Sequence, residues 1–279
     1  MQLYAIPTGN FKLDGGAMFG VVPKSLWSKH YPSDENNMIN MAMRCLLVVD
    51  GDRKILINNG MGNKQSEKFF SHYYLNGDDT LEKSLAAVGY TPADITDMFH
   101  THLHFDHAGG GVKYNSDRSG FEPVFPNATY WISRAQWEWA THSNRREVAS
   151  FLNENIQPIE ESGRLKLFDS PADLFPGIEI RMYDGHTDGQ AIPFISYKGK
   201  TLVFTSDLLP TAAHLPLPWI MSYDTRPLIT LDEKEAFLEE AVDNGYVLFF
   251  EHDLYTECCT LTRTEKGIKV DKVMKLNEL

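Results

Sequence analysis

Short apolar runs, set apart by turn residues and by stretches with helical spacing, organise this chain. The densest early run, RCLLVVDGDRKILINNG (residues 44–60), places two apolar blocks either side of Asp50-Gly51-Asp52, the pattern of an antiparallel hairpin. Upstream, a strand is predicted near Leu3–Pro7, and the Gly-rich apolar segment FKLDGGAMFGVVPK reads as a loop over a pocket. The periodicity turns helical over Lys64–Leu75 and again over Thr80–Val88, where Thr80 stands as an N-cap. DITDMFH then returns to a short strand that feeds a cluster of histidines.

Downstream, ATYWI predicts a strand, and Ser133–Ala140 a helix capped by Ser133, with a second helix over Arg145–Ile156. Strands are predicted near Arg164–Phe168, Ile178–Tyr183, Ile192–Tyr197 and Thr201–Thr205, with a tight turn at Lys198-Gly199. A helix over Asp232–Asn244 precedes the strand Tyr246–Phe250, and Thr260–Val273 reads as a final hairpin. Strands alternating with helix pairs imply a mixed α/β class, with layered sheets and helices outside. The absence of repeats or a low-complexity linker implies one domain over residues 1–279.

Composition narrows the function. With 42% hydrophobic and 12% aromatic residues the chain can bury a sizeable core, which excludes a disordered protein. A net charge of −12 repels phosphate backbones, so nucleic acid is not expected as a partner. The N-terminus MQLYAIPTGN has neither the basic nor the apolar part of a signal peptide, and no run is long enough for a membrane span. A cytoplasmic chain without a membrane partner is expected. Cys45, Cys258 and Cys259 form neither a disulfide framework nor a zinc-type Cys pair.

The segment HTHLHFDHAGG (residues 100–110) concentrates four histidines and an aspartate in eight positions. Neutral imidazoles and a carboxylate are ligands for zinc and related divalent ions. In an extended segment His102 and His104 project to one side, and Asp106 and His107 follow in a turn forced by Ala108-Gly109-Gly110-Gly111. Two histidines one way and an Asp-His pair round the corner suit two adjacent metals. Three further ligand-type residues end apolar strands: His186 in YDGHTDG, Asp207 in LVFTSD and His252 after VLFFE.

HTHLHFDHAGG, DGHTDG, TSD and EHD, in that order, resemble the metallo-β-lactamase superfamily over nearly the whole chain. The resemblance implies an αββα sandwich of two mixed sheets between outer helices. It implies one metal on His102, His104 and His186, a second on Asp106, His107 and His252, and Asp207 bridging them. The cofactor it implies is a pair of divalent ions, zinc foremost, with manganese, iron and cobalt compatible with the same donors. A bridging hydroxide would attack a small ester, and Asp106 would carry the proton to the leaving alkoxide.

Within the superfamily, His104 stands where flavodiiron relatives carry Glu, and Asp207 where true β-lactamases carry Cys or Ser. The 27 residues after His252 are too few for the helical domain of glyoxalase II relatives, and the acidic chain lacks the basic arm of tRNA-processing ones. The pattern is most similar to the N-acyl-homoserine-lactone lactonases and methyl-parathion-hydrolase-like members. A small lactone or carboxylic ester, with acyl-homoserine lactones among the candidates, is therefore the expected substrate. An organophosphate hydrolase on the same site and a metal-loaded sensor without turnover are the alternatives.

Two departures stand out. Asn58 replaces an aspartate common before the turn, and Pro210 takes the place of a tyrosine three residues after the bridging Asp. His214 and Tyr223 are the nearest donors that could replace that tyrosine. Ala17–Val22, Trp219 and Met221 are candidate pocket walls, and the Gly turn at 109–111 is expected to keep the rim open. His100 is expected to be structural, and His30, His72 and His142 to lie at the surface. Trp131, Trp137 and Trp139 read as core plus a helix face, and Glu233, Glu235, Glu239 and Glu240 as a solvated helix face. A homodimer is a reasonable assembly for the exposed aromatic loops.

Overall fold

Strands β1 (Gln2–Asp14), β2 (Met38–Asp50), β3 (Arg53–Ile57) and β4 (Asp97–Phe99) begin the first sheet in this computed structural model, which describes residues 1–169 and 174–279. β2 and β3 form the predicted hairpin, with Asp50 opposite Arg53 and the left-handed Gly51 (φ 58°) in the turn. A small ribbon of β5 (Val112–Tyr114) and β6 (Phe121–Pro123) follows, then β7 (Thr129–Ser133) and β8 (Leu165–Phe168). The sheet order is β1-β2-β3-β4-β7-β8, and β3, β4, β7 and β8 run parallel.

The second sheet contains β9 (Ile178–Tyr183), β10 (Gln190–Tyr197), β11 (Lys200–Phe204), β12 (Val247–Phe249), β13 (Cys258–Thr264) and β14 (Gly267–Met274). These strands neighbour one another in chain order, and only β11 and β12 pair in parallel. The chain divides into two compact units, residues 1–9 with 43–172 and residues 10–42 with 173–279.

In the first unit, helix Leu81–Ala87 is capped by Thr80, whose hydroxyl accepts from the Lys83 N–H at 3.3 Å. Its i, i+4 pair Leu81 and Leu85 is buried with Ile6, Leu47, Leu56 and Met98, each such side chain contributing about 1.5–3 kcal/mol. Ser133 caps helix Arg134–Thr141 as predicted. In the second unit, helix Pro227–Asp243 starts with proline in its first turn, where no N–H is needed. It buries Phe237, Leu238 and Ala241 with Ile192, Phe194, Val203 and Leu248. Among the described residues no helix is long and apolar enough to cross a membrane.

Four predicted elements differ, one of them the helix expected over Asp232–Asn244, which starts earlier, at Pro227. The expected loop FKLDGGAMFGVVPK continues β1 to Asp14, whose carboxylate accepts from Ala17 N–H at 2.8 Å and starts a helix over Gly15–Phe19. Met18 and Phe19 are buried there, so core packing overrides the glycine signal. The helix expected over Lys64–Leu75 contracts to Glu67–Ser71, capped by Ser66. The one expected over Arg145–Ile156 shifts to Asn153–Glu161, because the Asn144 side chain accepts from the Arg146 and Glu147 N–H groups and holds a turn.

Candidate metal centre

In the first unit, β3 and β4 end side by side, joined by Asn58 N–H donating to Phe99 O at 2.9 Å. The chain leaves β4 through His100 and Thr101, and His104 is the extended N-cap of a one-turn helix, Phe105–Ala108, that carries Asp106 and His107. The predicted turn is thus helical. His102, His104, Asp106 and His107 are all buried and gathered together, with the His102 ring 4.6 Å from that of His104 and 4.0 Å from that of His107.

The loop is gripped from behind by Asn58-Asn59-Gly60-Met61-Gly62-Asn63-Lys64. Asn59 N–H donates to His107 O and Gly110 N–H to Gly60 O, both at 2.9 Å, and the buried Lys64 ammonium caps Gly109 O. A Cβ on Gly109 would lie 2.1 Å from Met61 O, and one on Gly110 2.0 Å from Asn59 O. Gly109–Gly111 therefore does not hold a rim open. It is a buried 3-10 turn whose glycines allow two backbones to touch.

Each imidazole has an orienting partner. Thr101 Oγ1 lies 3.1 Å from His102 Nδ1, and Asn58 Nδ2 lies 3.1 Å from His107 Nδ1. His104 Nε2 faces Glu147 Oε1 at 2.9 Å, and Glu147 also accepts from Trp139 Nε1–H at 2.6 Å and from Asn144 Nδ2–H at 3.2 Å. Sequence reading missed Glu147. It stands 43 residues from His104, and nothing in its local spacing marks it. His100 is structural: burial drives its pKa down to about 3, and its Nε2 meets Asn59 Nδ2 at 2.9 Å.

In the second unit, His186 follows β9, Asp207 follows β11 and His252 follows β12. The parallel pairing of β11 with β12 brings the latter two ends together. Ser206, just before Asp207, has a left-handed φ of 43°, a conformation that costs about 1–3 kcal/mol and marks functional turns. Asp207 lies between the two imidazoles, Oδ2 at 3.1 Å from His186 Nε2 and Oδ1 at 3.2 Å from His252 Nε2.

The outer nitrogens of those rings also face acceptors: His186 Nδ1 meets Asp224 Oδ1, and His252 Nδ1 meets Ala42 O, both at 2.9 Å. A neutral imidazole has one N–H, so it can satisfy only one of two acceptors. Both rings need a cation between Nε2 and Asp207, and a divalent metal fits that demand. The same field acts on the proton: burial opposes charge on His186, yet Asp207 and Asp224 push its pKa up to about 10. These residues fit a metal-binding role.

Asp224, 1% exposed, is steadied by Met221 N–H at 3.1 Å. Glu233 accepts from the Asp184 and Gly185 N–H groups at 2.7 and 3.0 Å, holding the turn that carries His186. The expected solvated glutamate face holds at Glu235 and Glu239, both exposed, and fails at Glu233 and Glu240. Glu233 clamps the turn that carries His186, and Glu240 binds Arg181 and Tyr246, both at 2.7 Å.

His214 accepts from Thr211 Oγ1–H at Nδ1 (2.7 Å) and donates from Nε2 to Met18 O (2.8 Å), with its ring stacked on Phe19 at 4.5 Å. Burial holds it neutral, its pKa down at about 3. Both ring nitrogens are thus engaged by Thr211 and Met18. Tyr223 is 39% exposed in the turn beside Asp224. Of the expected pocket walls, Phe19 packs on Trp27 and edge-on to Trp219, and Met221 is buried. His30, His72 and His142 are exposed as expected.

A sequence profile of the metallo-β-lactamase superfamily matches residues 44–252, and the chain belongs to that superfamily. It has the superfamily's fold and is a metal-dependent hydrolase. An N-acyl homoserine lactonase from Bacillus cereus is 25% identical over 282 residues, covering 96% of this chain and 96% of the relative. In structure the chain is similar to a probable metal-dependent hydrolase from Staphylococcus aureus, with a TM-score of 0.89 and 31% identity, covering 98% and 96% of the two chains. It is also similar to AidC, a dizinc quorum-quenching lactonase in complex with a product. There the TM-score is 0.79 and the identity 23%, over 98% and 95% of the chains, a likeness of fold.

Proposed function

We propose that this protein is a dinuclear metal hydrolase of a small lactone or carboxylic ester, with N-acyl homoserine lactones the first substrates to test. The observation that carries the reading is Asp207, each oxygen of which faces an imidazole nitrogen whose ring is already committed to another acceptor. In this reading His102, His104 and His186 hold one metal, Asp106, His107 and His252 the other, and Asp207 serves both. Zinc, manganese, iron and cobalt all suit the donors, and the dizinc relative makes zinc the first choice. When bound, the two ions supply electrophilic polarisation of the carbonyl and a water acidic enough to react near neutral pH.

The chain's own residues do the rest. Glu147 and Asp224 fix the orientation of His104 and His186, as carboxylates do behind ligand imidazoles. Asp106, buried on the one-turn helix, takes the proton of the attacking water and returns it to the leaving alcohol oxygen. One C–O bond forms and the acyl–oxygen bond breaks, giving an alcohol and a carboxylic acid that releases its proton to solvent; for a lactone both groups stay on one hydroxy acid. Tyr223 keeps the role of hydrogen-bond donor to the substrate in this reading, and His214 does not.

The test is elemental analysis of the purified protein together with turnover of acyl lactones, aryl esters and a phosphotriester. About two metals per chain, with lactone or ester turnover lost in Asp207→Ala, is the expected result. No metal after reconstitution, or turnover of the phosphotriester alone, overturns the proposal.

A further inference from the structure

Asn58 closes β3 with a left-handed backbone (φ 59°) and a fully buried side chain. Its amide oxygen accepts from the Thr101 backbone N–H at 3.0 Å, and the Thr101 hydroxyl lies 3.2 Å from that oxygen and 2.9 Å from Nδ2. Nδ2 also lies 3.1 Å from His107 Nδ1. The orientation of this amide is not interchangeable. A backbone N–H can only donate, so the atom it meets is the oxygen, and the NH2 group must point at His107.

An NH2 group can only donate, so His107 Nδ1 accepts, and the neutral ring carries its proton on Nε2. That nitrogen faces Asp106 Oδ2 at 3.6 Å, on the side where the ring would ligate. Ligation through Nε2 displaces this proton and leaves a neutral ring with N–H at Nδ1. Donor would then confront donor across 3.1 Å. Turning the Asn58 amide over relieves that clash only by setting its NH2 against the Thr101 N–H.

The other ligand-type histidines face groups that can accept. His104 Nε2 faces Glu147, His186 Nδ1 faces Asp224, and His252 Nδ1 faces Ala42 O, all acceptors. His102 Nδ1 faces the Thr101 hydroxyl, which can rotate to accept.

Resting on the dinuclear reading above, we infer that Asn58 makes metal loading sequential. The set of His102, His104 and His186 fills first, and the set that includes His107 is the weaker, exchangeable one. Asn58 acts here as a positioning residue, through the tautomer it imposes on His107. Changes at a partner behind a ligand alter metal affinity about 10–100-fold, which sets the expected spacing between the two affinities.

The experiment has two parts. Long-range nitrogen–proton NMR on the metal-free protein, with His107→Gln to identify the signals, should find His107 as the Nε2–H tautomer. Stepwise zinc titration against a competing chelator should resolve a tight and a weaker equivalent. In Asn58→Asp, which offers His107 an acceptor, the weaker equivalent should tighten by about 10–100-fold. An Nδ1–H tautomer in the metal-free protein overturns the inference, and so does a second affinity unchanged in Asn58→Asp. Zinc binding by neither protein overturns the dinuclear reading with it. If Asn58→Asp does not fold, the tautomer and the spacing of the two affinities in the unaltered protein decide.

Discussion

Replacing Lys234 by methionine should change how stability depends on pH. Lys234 lies on helix Pro227–Asp243 at 1% exposure, and its ammonium donates to Pro216 O at 2.8 Å, Leu217 O at 3.3 Å and Trp219 O at 2.9 Å. Burial pulls its pKa from 10.5 down to about 7, with Asp224 opposing in part. Between those values the unfolded chain binds one more proton than the folded one, so stability rises with pH across the window. At about 1.4 kcal/mol per pH unit the full effect is about 5 kcal/mol, comparable with the stability of a small domain.

Methionine keeps the length of the stem, removes the titration and forfeits up to three hydrogen bonds at about 1 kcal/mol each. The two effects nearly offset at pH 7. By pH 9 the wild type should gain about 2–3 kcal/mol on the variant. A neutral amine still donates twice, so the shorter bonds to Pro216 and Trp219 survive deprotonation. His186 titrates in the opposite sense: its raised pKa lends stability below about 6.5 that is lost as pH rises through about 10. Taking the difference between the two proteins cancels it. The assay is urea unfolding of metal-free protein, followed by tryptophan fluorescence at pH 7, 8 and 9. A difference that stays flat with pH refutes the view that Lys234 is a buried, charge-starved amine.

Three further outcomes are expected. Glu147→Ala strips His104 and Trp139 of their acceptor, and metal affinity should fall about 10–100-fold with the fold retained; chelator competition at unchanged affinity would exclude that role. Gly110→Ala sets a Cβ 2.0 Å from a backbone oxygen, so denaturant titration should show a loss of about 3 kcal/mol or more, and a neutral result would mean the loop moves easily. His214→Leu should cost about 1–3 kcal/mol in stability yet leave the pH profile of hydrolysis unaltered, since the ring has no nitrogen left for substrate; a shifted profile would return His214 to the chemistry.

What could be read from the sequence was local. The turn at Gly51, the caps Thr80 and Ser133, and the strand Asp97–Phe99 each follow from a few adjacent residues, and each formed as expected. So did the placement of His186, Asp207 and His252 just past strand ends. What stayed hidden depends on partners far along the chain. Glu147 finds His104 across 43 residues, Asp224 finds His186 across 38, and Glu233 holds the Asp184 N–H across 49. A glutamate on an amphipathic helix looks solvated until the fold shows which backbone it meets. The segment FKLDGGAMFGVVPK misled for a related reason: glycines that suggest looseness were there to admit Trp27, whose ring would lie 2.3 Å from a Cβ on Gly15.

The interlocked backbones behind the histidines also bear on how this protein can evolve. Any single-base change that alters a glycine codon's residue adds a side chain or ends translation. Gly109 and Gly110 press on the carbonyls of Met61 and Asn59, so almost every missense step there meets a backbone that cannot give way. A histidine codon, by contrast, lies one base from Asp, Asn and Gln, all oxygen donors. The chemistry at the front of the loop can therefore drift toward another metal or substrate, while the glycines behind it stay nearly fixed. Across diverging copies, those glycines should outlast some of the histidines they support.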